Sequence, residues 1–357
     1  MTKEKISPSA LICILLCARS FTTMTIFPPG TAGGLIYMTG SVISTALQAV
    51  MLVPAAKLAA RTGRSPCRLA YERNKYFGIT VTAAFMLYFL YDAFRVIGDL
   101  AYFTDYFFSA NMPRFMIVLC IALAAVCSAR LEITAIGRTA FIAFAGVIIM
   151  LAIIAMGAAE DMDITRFDLA SESLAKDIRK AVMAESSRCG CLVIFCFLCG
   201  DISGDPQKTA KFFISAKAAI LLAISGMTTA VFGNFGMLWK LPVFSLAASS
   251  ENLITERSDA VFLFIWVITG LVKLTVLVHC AARCLRLLRP SAGIAPSAMI
   301  CGILPALAAL PLLLCYGWEK VVYSHRPITP IIILAVILPA YILLGQKAAY
   351  RGNGGMI

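Results

Sequence analysis

The sequence predicts an all-α membrane protein of about ten transmembrane helices, arranged as a 5+5 inverted repeat with helices 1 and 6 broken. Three observations predict it. Of the 357 residues, 60% are hydrophobic and 14% charged, with mean hydropathy +0.87. A soluble domain is about 45–50% apolar and about 25% charged. Apolar runs alternate with short loops in which the basic residues gather on every second side. Two of the apolar runs, one in each half of the chain, turn polar and then stop at a proline.

A spanning helix needs roughly 20 mostly apolar residues. Ten runs approach that length: Pro8–Pro28, Gly34–Lys57, Phe77–Phe103, Phe115–Ala129, Thr139–Ala158, Cys189–Asp205, Phe212–Trp239, Asp259–Ala282, Pro296–Tyr316 and Ile328–Gly345. The first follows the charged start Met1–Lys5 and no small-residue cleavage site ends it, so it reads as a span rather than a signal peptide. The fourth is short and the seventh long.

Placing the N-terminus in the cytoplasm puts 18 basic residues in the inner segments, against Glu4, Glu72 and Glu132. The outer segments hold 10 basic and 12 acidic residues. This asymmetry orients the chain with both termini cytoplasmic. It also accounts for the net charge of +12 through the lipid bilayer, and it excludes a nucleic-acid partner. The longest outer loop, 160–188, carries Asp161, Asp163, Asp168, Glu172, Lys176, Asp177, Arg179, Lys180 and Glu185, and reads as a soluble helical segment. It divides repeat 1, about residues 8–158, from repeat 2, about 189–346, within a single polytopic membrane domain spanning 1–357. Most of the 13 cysteines lie inside apolar runs, where they read as small apolar residues of reduced helices rather than disulfides or metal ligands.

The two polar interruptions point in opposite directions. Run 1 goes outward, turns polar at Arg19-Ser20-Phe21-Thr22-Thr23-Met24-Thr25, and ends at Pro28. Run 6 goes inward, turns polar at Gly200-Asp201-Ile202-Ser203-Gly204, and ends at Asp205-Pro206. Inverted repeats with broken first helices indicate a binding site at the membrane midplane. The alternative is that these helices simply pack closely, since Gly200-x-x-x-Gly204 is also a small-residue contact pattern.

Charges inside other runs support a site. Run 3 carries Tyr88, Asp92, Arg95 and Asp99 on one helical face, with Tyr91 beside it. Run 8 carries Asp259, Trp266, Thr269 and Lys273 along one stripe. At 1.5 Å per residue, Asp92 and Lys273 lie about 21–22 Å into their runs, Asp201 about 18 Å and Arg19 about 16 Å. Unpaired, each would cost on the order of 2.5–3.5 kcal/mol. They are therefore expected to meet in the bundle interior, with Lys273 pairing Asp201 or Asp92. Broken-helix backbone donors and the Thr22, Thr23 and Thr25 hydroxyls could hold a carboxylate. Asp201 or freed carbonyls could hold an ammonium, so the site would read an amino acid by its zwitterion. Lys273 could replace a bound cation or carry a proton. The bland alternative is an ion-pair network that only orients helices.

The candidate ligand-binding set is Arg19, Ser20, Thr22, Thr23, Thr25, Tyr88, Tyr91, Asp92, Gly200, Asp201, Ser203, Gly204, Trp266, Thr269 and Lys273. No catalytic residue, metal ligand or cofactor is expected. The chain has no HExxH, P-loop or G-x-S-x-G. Tyr91-Asp92 with Gly200-Asp201 resembles the motif pair of intramembrane aspartyl proteases, but Leu198 stands where that motif has its first glycine. The reading is not an enzyme.

Lys5-Ile-Ser-Pro8 opening run 1, Pro28 closing it, Gly200-Asp201-Ile202, and above all Glu256-Arg-Ser-Asp-Ala-Val-Phe-Leu-Phe-Ile-Trp-Val-Ile-Thr-Gly-Leu-Val-Lys273 resemble one known family. It is the permease-like B subunit of bacterial spore nutrient-germinant receptors, within the amino acid–polyamine–organocation transporters. The resemblance implies a LeuT-like fold with the ligand between runs 1, 3, 6 and 8. It further implies a small nutrient ligand such as an amino acid, a spore inner-membrane location, and partners in a larger A subunit and a lipoprotein C subunit. Arg19–Thr23 stands where family members often keep glycine, and Asp201 where glutamate is common. Two other readings compete with the receptor: an active amino acid–cation or proton symporter, and a scaffold subunit with a vestigial pocket.

Overall fold

The computed structural model describes residues 5–25, 34–108, 113–168, 173–238, 241–250, 258–315, 318 and 328–345. Among them are thirteen α-helices: α1 Pro8–Thr25, α2 Gly34–Thr62, α3 Pro66–Arg73, α4 Lys75–Phe108, α5 Arg114–Ala129, α6 Ile133–Gly157, α7 Leu174–Ser186, α8 Cys191–Leu198, α9 Pro206–Phe232, α10 Pro242–Ser249, α11 Ser258–Leu288, α12 Ile294–Leu314 and α13 Ile328–Gly345. Each of the ten apolar runs is largely helical over its described residues, because in hydrocarbon a backbone can only satisfy its own hydrogen bonds. Several helices continue past the apolar run into charged loop sequence, as α2 does from Lys57 to Thr62. Prolines fix the starts of α3, α9 and α10 at the first turn.

Seven helices (α1, α2, α4, α6, α9, α11 and α12) are long and apolar enough to cross a membrane. The shorter apolar helices Arg114–Ala129 and Thr329–Gly345 match the two remaining runs outside run 6. Large apolar side chains such as Val50, Phe141, Ile142, Ile149, Phe264 and Leu307 are exposed along these helices. An exposed apolar girdle of this kind is the surface that lipid covers. The protein is a multi-pass membrane protein.

Run 6 differs from expectation. It starts fifteen residues earlier than Cys189, at Leu174, and consists of two helical pieces, Leu174–Ser186 and Cys191–Asp201, bent by 45°. Residues 160–188, expected as an outer loop with a soluble helix, thus contribute α7 to the bundle. The face with Ala181, Ala184 and Glu185 is buried, and α7 packs along α2. Its other face carries the lysines, arginine and aspartate that made it read as soluble.

The two central helices are α1 and α8. Every residue of Cys191–Leu198 is buried. α1 packs against α6, α9 and α11, while α4 packs along α11 and α12. α1 is continuous from Pro8 to Thr25; Pro28 and the expected stop of run 1 lie outside the described residues. The two halves share a further feature. An eight-residue helix opening on proline lies between the second and third spans of each half, α3 in one and α10 in the other.

Candidate functional site

The break in run 6 is the four residues Ser187, Arg188, Cys189 and Gly190 between α7 and α8. The turn is partly self-satisfied, with Ser187 N–H donating to Met183 O at 3.0 Å and Arg188 N–H to Glu185 O at 3.2 Å. The freed carbonyl of Arg188 accepts from Arg19 Nη1 at 3.0 Å. Among the described residues the N–H groups of Gly190 and Cys191, at the start of α8, make no backbone hydrogen bond. Gly190 faces α4 directly. A Cβ there would lie 2.7 Å from Tyr88 Oη and 2.9 Å from Asp92 Oδ2, so any larger residue would push those two side chains aside.

Two buried charge groups flank the break. In the first, Glu185 is 0% exposed and takes Arg19 Nη2 at 2.6 Å on one oxygen and Lys217 Nζ at 3.2 Å on the other. Lys217 also donates to Gln48 Oε1. Gln48 in turn donates to Ser44 Oγ at 3.0 Å, and Ser44 shares a hydrogen bond with Ser186 Oγ at 2.9 Å. This network ties α1, α2, α7 and α9 together. Arg19 and Lys217 each sit about 16 Å from the inner start of their helices, so Glu185 lies near mid-depth although its helix read as a surface loop. Lys217, placed among the inner-surface charges by the sequence, belongs to the interior.

In the second group, Lys273 Nζ lies 3.2 Å from Asp92 Oδ1, donates to Thr22 Oγ1 at 3.2 Å, and stands 5.9 Å from the centre of the Phe21 ring. The other carboxylate oxygen, Asp92 Oδ2, is buried with no hydrogen-bond partner. Two turns outward, Asp99 lies near Arg95 and accepts from Trp318 Nε1 at 3.3 Å. Phe21 and Trp266 stack at 5.4 Å, and Trp266 Nε1 donates to Thr25 Oγ1 at 2.9 Å. Thr269 Oγ1 donates to Trp266 O at 2.9 Å.

The structure therefore brings Arg19, Thr22, Tyr88, Asp92 and Lys273 together beside the start of α8, with Tyr91 half-buried beside Arg95; Thr25, Trp266 and Thr269 form a separate cluster further outward on α1 and α11. Of the two pairings expected for Lys273, the one with Asp92 forms. The carboxylate cradle expected in run 1 is not free. Thr22, Thr23 and Thr25 donate to the carbonyls of Ala18, Arg19 and Phe21 within α1. Ser20 is buried and its hydroxyl makes no hydrogen bond among the described residues.

Gly200, Asp201, Ser203 and Gly204 do not join this site. Asp201 Oδ2 pairs with Arg283 Nη2 at 2.6 Å, Ile6 N–H donates to Asp201 O, and Ser203 N–H donates to Ile6 O, both at 2.9 Å. These contacts lie at the inner ends of α1, α8 and α11, and Ser203 and Gly204 are exposed. The reason for the error is the starting point: depth counted from Cys189 is depth counted from the middle of a helix that begins at Leu174. Gly200 serves close packing, since a Cβ there would overlap the backbone of Arg64 and Ser65 in the turn after α2. Gly204 packs on Pro8. Asp205 caps α9 through Gln207 N–H at 2.8 Å.

Sequence reasoning did not assign Glu185, Arg188, Gly190, Lys217 and Gln48. The available signal was Ser186-Ser187-Arg188-Cys189-Gly190, a small polar run joining an amphipathic helix to an apolar one. Among the described residues no group of three or more His, Cys, Asp or Glu is placed to hold a metal ion.

The chain matches the spore permease family, described as spore germination protein, over residues 70–311. A comparison with curated proteins finds no match. Among solved structures it is similar to Mhp1, a nucleobase-cation-symport-1 family transporter in a closed conformation with bromovinylhydantoin bound. The TM-score is 0.62 at 14% identity, covering 98% of this chain and 79% of that one. It is also similar to a substrate-bound, outward-open Na+-coupled sialic acid symporter (TM-score 0.57, 11% identity, 97% and 80% covered). A third is the Eremococcus coleocola manganese transporter in complex with an aromatic bis-isothiourea compound (TM-score 0.57, 10% identity, 96% and 76% covered). At these identities the likeness shows the fold, that of LeuT-like transporters.

Proposed function

The chain belongs to the spore germination protein family, and on that premise we propose that it is a transporter-like receptor subunit that binds a small nutrient, an amino acid, and triggers germination. It acts with a larger membrane A subunit and a lipoprotein C subunit in the spore inner membrane, with both termini cytoplasmic, and it is not an enzyme. The observation that carries this reading is Asp92 Oδ2, a buried acceptor with no partner. It faces Gly190 at a helix break in the middle of the bundle. A buried unpaired carboxylate oxygen is costly to keep, and a ligand donor would satisfy it. Two of the structurally similar transporters are described with a bound ligand or substrate, which supports a ligand in the interior of this fold.

The test uses spores whose only copy of the protein carries Asp92→Asn. The A and C subunits should still co-purify with it, while nutrient-triggered germination is lost. Normal germination with Asp92→Asn would remove the site from the function.

A second reading, an amino acid–cation or proton symporter, is favoured by Lys273, whose ammonium shares Asp92 with the empty side of that carboxylate. A buried lysine readily exchanges its proton. Gradient-driven uptake into proteoliposomes that disappears in Lys273→Ala establishes transport; binding without uptake establishes sensing alone.

A further inference from the structure

The charges around the α7–α8 break do not balance. Glu185 is shared by two cations, Arg19 and Lys217, which leaves that group at +1. Asp92 offsets Lys273, and Asp99 lies against Arg95. Arg188 remains. Its main electrostatic neighbours are Tyr37, Arg19, Glu185 and Arg95, and the carboxylate among them is the one already shared by two cations. Among the described residues, the groups named around the break are five cations (Arg19, Lys217, Lys273, Arg95, Arg188) and three carboxylates (Glu185, Asp92, Asp99), a net charge of +2.

Arg188 is also incompletely bonded. Its Nη1 is buried with no hydrogen-bond partner, although the residue keeps partial exposure. The first turn of α8 adds to the positive potential, with the N–H groups of Gly190 and Cys191 unbonded to backbone and the helix dipole directed the same way. Open valences therefore flank the break, among them a cationic donor on Arg188 and an acceptor on Asp92.

Resting on the reading that this site binds a small nutrient, we propose that the ligand is an organic anion of net charge −1 or −2. Its carboxylate is held by the Arg188 guanidinium at the positive start of α8, and a donor group of the ligand meets Asp92 Oδ2. A neutral zwitterion would leave the excess charge in place. Among amino acids the charge balance selects aspartate and glutamate; a hydroxy-dicarboxylate such as malate meets the same requirements through a hydroxyl donor.

The test measures binding to the full-length protein in lipid nanodiscs by calorimetry. The probes are L-glutamate against L-glutamine, L-aspartate against L-asparagine, and L-malate and L-alanine. These acid–amide pairs differ by one charge at nearly constant shape, and the comparison needs only the unmodified chain. At least one acid should bind about tenfold or more tightly than its amide. Arg188→Gln should remove that preference, and Arg188→Lys should keep part of it. Amides binding as tightly as acids, or acid affinity unchanged in Arg188→Gln, would overturn the proposal. So would binding of none of the acids. In that last case, binding of alanine or an amide leaves the nutrient-receptor reading standing, and binding of nothing removes both.

Discussion

A methyl group added at Gly190 and one added at Gly200 would strike different things. At Gly190 it meets the ends of two side chains, Tyr88 and Asp92, which can turn aside. At Gly200 it meets backbone, which cannot. Gly190→Ala is expected to fold and to weaken nutrient binding about tenfold or more by displacing Asp92. Gly200→Ala is expected to destabilise the protein by about 1–3 kcal/mol, seen as a lower melting temperature in detergent, while the folded fraction keeps its affinity. The opposite assignment of effects would return the site to the inner end of the helix. Glu185 offers a second contrast. Glu185→Gln leaves Arg19 and Lys217 buried without a counter-charge, which costs about 3–5 kcal/mol. Adding Lys217→Met removes one of the stranded cations, so the double variant should melt higher than Glu185→Gln alone. Equal melting temperatures would mean that the two side chains are not coupled.

At the scale of elements, the ten apolar runs were readable because a helix in hydrocarbon has to be apolar over its length, and that signal needs no knowledge of packing. The break in run 6 was not readable in the same way. α7 presents Lys176, Asp177, Arg179 and Lys180 on one face and buries Ala181, Ala184 and Glu185 on the other, so average polarity hides an element of the bundle. Missing it moved the start of the run by fifteen residues and carried the expected helix break from Ser187–Gly190 to Gly200. The charges on α4 and α11 were placed correctly because both helices were recognised whole, and Asp92 and Lys273 meet as their depths implied. Contacts from residues outside the apolar runs were beyond sequence reasoning. Trp318 packs so closely on Gly98 of α4 that any Cβ there would overlap the indole, and it donates to Asp99. Gly98→Ala should expel the indole, lower the melting temperature and shift tryptophan emission to the red; unchanged emission would contradict the packing.

The whole molecule combines a transporter fold with a polar interior that is closely tied by ion pairs. The exposed apolar side chains along its helices fix the bilayer as its solvent. The matching proline-led helices α3 and α10 follow from two halves laid out alike. Family membership adds the germination context, and the excess positive charge at the break adds a preference for anions. These lines converge on one location, where Asp92 of α4 meets the start of α8 at Gly190. The most direct test is a structure determined by cryo-electron microscopy with the tightest-binding nutrient of the acid–amide panel at saturating concentration. The expected result is ligand density against Arg188, Gly190 and Asp92. Density at the inner end, beside Asp201, Ser203 and Gly204, would contradict it.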